Sequence, residues 1–354
     1  MKISVLIMAG GIGERLWPLS REEKPKQFLT IYDNKSLIEQ TIDRAKQITS
    51  LENIFIITGN RYKSTFKKYM PDFQNIIYEP IGRDTTAAIA LGVYYIKEKV
   101  GDSIVVIVPA DPIIKENKLF IDSIKEAIER TKETKNISII GIKPTRAETG
   151  YGYIKLRDII KDNSYNVDRF VEKPNLEKAK EYLKDSNYLW NSGMFIWDTD
   201  SILEKIKTLA NDTYNKVVET YKNINDENKS LEIFSNIEKK SFDFSIMEKL
   251  NDITCIKSNF FWDDLGAFSA LYRIYEKDEN QNVTIGDVFV KDSNNNIIIS
   301  DDDTFMAISG VENLTIVKSK DVLLIYSNNE DNRIKDILKD IKEKEELKDK
   351  RKYI

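Results

Sequence analysis

The chain of 354 residues contains no histidine. That absence removes the commonest general base, the commonest zinc ligand and every Ser-His or Cys-His nucleophile system. Any chemistry must run on carboxylates, cations and backbone amides, with room for a hard metal ion. There is one cysteine, Cys255, so no intramolecular disulfide framework exists and a reducing cytosol suits the chain. No apolar run approaches the roughly 20 residues that span a bilayer. The N-terminal apolar stretch meets glycines and charges too soon for a signal peptide. Cytoplasmic residence, without a membrane partner, is the expectation. The net charge is only −4, which lacks the positive field that holds a nucleic acid.

What is present is an ordinary globular composition, 41% hydrophobic and 32% charged, long enough for one large domain and a smaller one. Residues 2–9, 54–58, 75–78, 104–108 and 137–141 read as strands buried on both faces. Between them, 36–48, 61–69, 85–99 and 118–132 carry apolar residues at helical spacing. This alternation predicts an α/β fold with a doubly wound, mixed but mostly parallel sheet, whose ligands bind beyond the carboxyl ends of the strands. Further strand-like pieces are 150–156, 170–174 and 192–197, followed by a helical stretch from about Ser201 to Glu238. After Asp278, short β-type runs at 283–290, 296–299, 304–308, 312–318 and 321–326 are separated by Asn, Asp and Gly, and a helix at 330–349 closes them. The expected division is 1–278 and 279–354. The β-rich part leaves edges to cover, which makes a homodimer contact the expectation there.

The segment "LIMAGGIGERLWPLSREEKPKQFL" (6–29) ends a buried strand in glycines and cations. Gly10, Gly11 and Gly13 leave bare backbone whose amides can face phosphate oxygens. Leu16 stands where a dinucleotide fingerprint needs glycine, and the loop lacks a P-loop's Gly-Lys-Ser/Thr ending. Arg15, Lys24 and Lys26, stiffened by Pro18 and Pro25, favour a phosphate cradle over a plain tight turn. Asp111 in "VIVPAD" follows a buried strand, where a carboxylate is either a helix cap or a ligand for Mg²⁺. In "WDDLGAF" (262–268), Asp263 and Asp264 either start a helix at 267–276 or complete such a metal site. "EPIGRDTTAAIAL" (79–91) turns at Pro80 and Gly82 into a helix capped by Asp84 or Thr85, whose N-terminal amides could also face a ligand. "FVEKP" sets Glu172 beside Lys173, and "WNSGMFIW" sets Asn191 and Ser192 before a glycine; each alone is an ordinary turn. Trp190, Trp197 and Trp262 read as core.

Together with "GYGYI" and "FDFSIMEK" (242–249), these pieces occur in the order found in mannose-1-phosphate guanylyltransferases, which the sequence resembles over residues 6–268, about three quarters of the chain. The resemblance implies a Rossmann-like nucleotidyltransferase domain with a short left-handed β-helix at the C-terminus, in a form without the fused isomerase of longer members. It implies transfer of GMP from GTP to mannose-1-phosphate, giving GDP-mannose and pyrophosphate, with Mg²⁺. Arg15 and Lys26 match the triphosphate side, with Met8, Gly10, Gly11 and Gly13 in the nucleotide-binding loop. Glu79, Gly82, Asp84 and Thr85 match the guanosine side. Gly152, Glu172, Lys173 and Asn191 match the sugar-phosphate side, and Asp111 and Asp264 match the metal ligands. Three departures stand out. Asp84, with Thr86 to Ala88, replaces the usual Asn-Thr-Ala-Pro. Pro112 replaces a histidine, and Leu265 to Phe268 replace Val-Gly-Ser-Trp. Asp84 bears on base preference more than on the type of reaction. The remaining alternatives are the same chemistry on another hexose-1-phosphate or nucleoside triphosphate, and a catalytically silent nucleotide-sugar binder. A nicotinamide oxidoreductase is disfavoured by Leu16 and the basic loop.

Overall fold

Uninterrupted apolar sequence becomes strand covered on both faces in β1 (Lys2–Met8), β2 (Ile54–Gly59) and β4 (Ser103–Pro109). By contrast β3 (Ile76–Glu79), where 75–78 was expected to be buried on both faces, is the edge strand and buries only Ile77 and Glu79, leaving Ile76 and Tyr78 partly exposed. A computed structural model describes residues 1–328 and 330–354. Two units divide the chain. The first comprises 1–10, 40–110 and 114–262, and the second 11–39, 111–113 and 263–354. The remaining strands before residue 265 are β5 (Ile113–Ile114), β6 (Ile137–Ile142), β7 (Tyr153–Lys161), β8 (Ser164–Val171), β9 (Tyr188–Asp198), β10 (Ile253–Ser258) and β11 (Trp262–Asp263).

The first unit is built on a nine-stranded sheet in the order β3-β2-β1-β4-β9-β6-β10-β8-β7. Strands β3, β2, β1 and β4 are parallel, with Val5 opposite both Ile54 and Val106. The sequence expectation of a mostly parallel sheet holds only there and between β6 and β10. Strand β9 runs antiparallel to β4, β6 and β7, and β8 is antiparallel to β7 and β10. The reversal has a local cause: β7 and β8 form a hairpin and β9 returns across it, and buried apolar content does not encode strand direction.

Around the sheet lie α1 (Leu37–Ala45), α2 (Lys63–Tyr69), α3 (Asp84–Val100), α4 (Asn117–Thr134), α5 (Leu176–Lys184), α6 (Thr199–Leu209), α7 (Asn211–Lys222), α8 (Glu227–Ser235) and α9 (Phe242–Ser245). Helix α3 is apolar all round from Ala87 to Val93, and that sequence buries it against Leu6, Phe55 and Val105 of the sheet as well as Val217 and Phe234 of α7 and α8. Cys255 and all three tryptophans singled out above are buried, and burial pushes the Cys255 thiol up in pKa, so it packs as an inert apolar group.

The second unit carries α10 (Leu271–Ile274), the strands β12 (Val283–Ile285), β13 (Val288–Lys291), β14 (Ile297–Ser300), β15 (Met306–Ser309), β16 (Leu314–Ser319) and β17 (Val322–Ser327), and α11 (Arg333–Glu343). The expected helices at 267–276 and 330–349 are thus shorter than their apolar spacing suggested. Strands β12, β14 and β16 stack in parallel, as do β13 and β15, and β17 closes the first stack antiparallel to β16. Gln281, Asn295 and Asn313 each take a left-handed backbone (φ 62°, 56° and 59°) just before β12, β14 and β16. Buried between the rungs, Asn296 Nδ2 donates to Asn282 Oδ1 (2.9 Å) and to Val311 O (3.1 Å), while Asn282 Nδ2 donates to Ser293 O (2.9 Å).

Candidate active site

In the second unit the basic loop folds back on itself. Gly13 has φ +79°, and a Cβ there would lie 2.5 Å from Lys26 Cβ, so only glycine admits both the turn and the close approach. Lys26 N–H donates to Ile12 O (3.0 Å), and Ser20 Oγ donates to Gly13 O (2.6 Å), which fixes the loop around the glycine. Lys26 is nearly buried, and its Nζ lies 2.8 Å from Asp111 Oδ2 while also donating to the backbone carbonyl of Asp264. Three of the sequence-selected residues are thereby brought together. Arg15 follows in the first 3₁₀ turn, and its buried Nε has no hydrogen-bond partner; Gln27 Nε2 is in the same condition. Unsatisfied buried donors are costly unless a ligand completes them.

The two carboxylates of "WDDLGAF" separate cleanly. Asp263 is 2% exposed at its side chain and is held bidentate by Arg273 (2.6 and 3.1 Å), while accepting from Leu265 N–H. Its role is structural. Asp264 Oδ1 accepts from Gly266 N–H (3.1 Å). Asp111 does not cap a helix; it precedes β5 and holds the Lys26 ammonium. Hard oxygen donors on Asp111 and Asp264, beside a cation already drawn to both residues, suit Mg²⁺, which takes one or two carboxylates and fills its shell with water and phosphate oxygens. Among the described residues no cluster of three or more acidic, Cys or His side chains forms a self-contained metal cage.

In the first unit, Glu79 ends β3 buried, with Oε2 unpartnered. Burial raises its pKa to about 7; Arg61 opposes the shift and Asp84 adds to it. Neither Asp84 nor Thr85 is the helix cap expected from the sequence. Arg83 occupies that position, Asp84 takes φ +67° and accepts from Thr85 N–H (2.7 Å), and Thr85 Oγ1 accepts from Phe242 N–H (2.7 Å). Arg83 Nε and Thr86 Oγ1 are also buried and unpartnered, so the segment 79–86 concentrates unsatisfied polar atoms. At Gly82, as at Gly10 and Gly11, a Cβ would meet nothing within 4 Å. Met8 ends β1 half-buried against the core and supplies apolar packing.

A second cluster in this unit gathers Gly152, Glu172, Lys173 and Asn191. A Cβ at residue 152 would lie 2.7 Å from Glu172 Oε2, so a side chain there would push that carboxylate from its place. Asn191 N–H donates to Gly152 O (2.8 Å). Lys173 takes φ +41° just after β8, and its Nζ pairs with Glu172 Oε1 (2.8 Å), a bond that raises the lysine pKa. Asn191 Nδ2 donates to Asp243 Oδ1 (3.0 Å).

The chain was compared with known proteins. The nucleotidyl transferase family matches residues 4–281. Mannose-1-phosphate guanylyltransferase RfbM of Salmonella typhimurium is 35% identical over 352 residues, covering 97% of this chain and 71% of that protein. A Klebsiella pneumoniae mannose-1-phosphate guanylyltransferase is 34% identical over 358 residues, covering 98% and 75%. A Thermus thermophilus structure, described as a mannose-1-phosphate geranyltransferase, superposes with a TM-score of 0.88 at 28% identity, over 97% of this chain and all of that one. The chain belongs to the mannose-1-phosphate guanylyltransferase family of nucleotidyl transferases.

Sequence reading of this guanylyltransferase-family chain missed Gln27 and Asp243, and took in Arg83 and Thr86 only as part of the segment 82–86 on the guanosine side, without a role of their own. Arg83, Thr86 and Gln27 lay inside quoted motifs, but what marks them is a buried polar atom without a partner, and spacing carries no such signal. Asp243 is marked by a bond to a residue 52 positions away. No helix among the described residues is long and apolar enough to cross a membrane.

Proposed function

We propose that the protein transfers GMP from GTP to mannose-1-phosphate, forming GDP-mannose and releasing pyrophosphate. The observation that carries this reading is Lys26, whose nearly buried ammonium is drawn to the Asp111 carboxylate and the Asp264 backbone carbonyl. A sugar-phosphate oxygen attacks the α-phosphorus of GTP in line and pyrophosphate leaves. The second pKa of a phosphate monoester is near 6, so the nucleophile is largely charged at neutral pH and needs no histidine base. The protein's contribution is positioning and charge neutralisation.

Arg15 and Lys26 hold the triphosphate and stabilise the leaving pyrophosphate, with Met8, Gly10, Gly11 and Gly13 forming the loop that approaches it. Glu79, Gly82, Asp84 and Thr85 serve the guanosine end. Lys173 holds the incoming phosphate, and Gly152, Glu172 and Asn191 its sugar. Asp111 and Asp264 are the ligands for Mg²⁺, which when bound neutralises phosphate charge. The stacked parallel rungs of the second unit support a β-helix reading, and the division at 278/279 and a cytoplasmic, homodimeric enzyme complete the proposal.

The test is pyrophosphate release with Mg²⁺ across five nucleoside triphosphates, each with mannose-1-phosphate and glucose-1-phosphate. Turnover mainly with GTP and mannose-1-phosphate is expected. Turnover with another pair moves the specificity, to which Asp84 would contribute; silence throughout, despite GDP-mannose binding, replaces the enzyme with a nucleotide-sugar binder.

A further inference from the structure

Asp243 has no part in the roles assigned above, yet the fold holds it from several directions. Its short helix α9 is tied to the start of α3 by Phe242 N–H donating to Thr85 Oγ1 (2.7 Å) and by Thr86 N–H donating to Lys240 O (3.3 Å). The Phe242 ring is fully buried against Phe195, with centroids 5.3 Å apart, so core packing places the neighbouring carboxyl. Asn191 meets it in a fixed orientation. Gly193 N–H donates to Asn191 Oδ1 (3.1 Å), which identifies the oxygen end of the amide and turns Nδ2 toward Asp243 Oδ1 (3.0 Å). One Nδ2 hydrogen of Asn191 is not used by these bonds.

The charges around Asp243 are unevenly matched. Glu172 and Lys173 face it from the end of β8, with Asp84 at the start of α3 acting on Lys173, and Glu248 accepts from Glu172 N–H (3.2 Å). Asp243 touches solvent, but protein atoms crowd it on most sides. That crowding, with the Glu172 charge, pushes its pKa to about 7, against the opposing effects of its own backbone N–H, Lys173 and Asn191. Two carboxyls with one ammonium do not suit a phosphate as a whole. They suit a ligand that brings an anion to Lys173 and hydroxyl donors to the carboxyls.

We propose that Asp243 is a specificity-determining residue of the sugar site that sets which hexose hydroxyl pattern is accepted, pairing with Glu172 as acceptors for adjacent hydroxyls while its bond to Asn191 Nδ2 holds that amide toward the sugar. This inference rests on the sugar-phosphate reading of the cluster. A carboxylate accepts hydroxyl hydrogens in directions set by its own placement, so moving or replacing it changes the preference between epimers as well as the affinity. The free enzyme loses the acceptor as the pH falls through the Asp243 pKa, and the sugar-dependent rate falls with it.

The experiment compares wild type with Asp243→Asn and Asp243→Glu, using mannose-1-phosphate and its C2 epimer glucose-1-phosphate at saturating GTP and Mg²⁺. For Asp243→Asn the expected result is a rise of about tenfold or more in the KM for mannose-1-phosphate, loss of a charge-assisted bond being the cause. The KM for GTP should stay within about twofold, the epimer preference should shrink, and the acid limb of kcat/KM for the sugar should move from about 7 toward the phosphate's own pKa near 6. An unchanged sugar KM, epimer preference and pH profile overturns the inference, as does a fall in kcat that is equal for both sugars. If Asp243→Asn fails to unfold cooperatively, Asp243→Glu, checked by GTP titration, must show the altered epimer preference; an unaltered one overturns the inference. Wild-type silence toward both sugars removes the sugar-phosphate reading and this inference with it, whereas wild-type turnover with unchanged discrimination in the variants removes the inference alone.

Discussion

Lys26 in the second unit and Asp243 in the first are both charged groups with much protein around them, and the fold treats them oppositely. The Lys26 ammonium is offered the Asp111 carboxylate at 2.8 Å and the Asp264 carbonyl. Asp243 and Glu79 are instead crowded without a matching cation in contact, and both carboxyls are pushed to about 7. Matched charge stabilises a site in readiness for other ions, since an anion or a metal can exchange with either partner. Carboxyls raised by burial lack a cation to balance them, so in their charged form they repel an anion and accept hydrogen bonds from neutral donors.

The sharpest way to break this contrast is at Lys26. Lys26→Ala should lower turnover by about 10²–10³-fold, as loss of a preorganised charge on a leaving group does, with little change in thermal midpoint. Wild-type rates would remove Lys26 from the phosphate chemistry. Asp264→Asn, on the same side of the contrast, should shift the Mg²⁺ titration of the rate to higher concentration, whereas Asp263→Asn should mainly lower stability by releasing Arg273. On the other side, Gly152→Ala places a Cβ 2.7 Å from Glu172 Oε2 and 3.2 Å from Phe170 Cζ. The KM for the sugar phosphate should rise several-fold, about 1 kcal/mol, while the KM for GTP holds; a matching rise in both would show that the glycine serves folding alone.

A last test, apart from catalysis, concerns stability against pH. The folded-state pKa of Glu79, about 7, lies above its ordinary value of 4.5, so the folded chain holds the proton more tightly than the unfolded chain. Its contribution is fully present below the ordinary value and is lost as pH rises through about 7. Glu79→Gln lacks this loss. The variant should therefore gain on wild type between about pH 4.5 and 7, by about 2–3 kcal/mol in all, read from urea midpoints at pH 5 and pH 8. A difference independent of pH would mean that Glu79 ionises freely in the fold.

Much of this architecture was legible because burial on both faces writes an unbroken apolar run. Residues 2–9, 54–58 and 104–108 became β1, β2 and β4 on that signal alone. The direction of β9 was not legible, since an apolar strand reads the same either way. Lys26, Asp111 and Asp264 could be selected because each sits in a short motif of unusual composition. Asp243 could not be assigned a role, because its meaning depends on Asn191 reaching it across 52 residues and on Thr85 anchoring Phe242 across 157. Between Asp263 and Asp264 the residues alone left both open and the resemblance pointed to Asp264; Arg273, ten positions on, shows that the fold already holds the Asp263 carboxylate.

The asparagine contacts between the rungs of the second unit have a consequence for how this part of the chain can change in length. Asn282 and Asn296 each bond to backbone further along the chain, at Ser293 and Val311, as well as to one another, and left-handed residues stand immediately before both. Adding or deleting a single residue within a rung would turn one amide outward, strand its partner's bonds and move the left-handed backbone onto a different residue. Length variation should therefore enter this region either inside the connections or as a complete turn carrying its own left-handed residue.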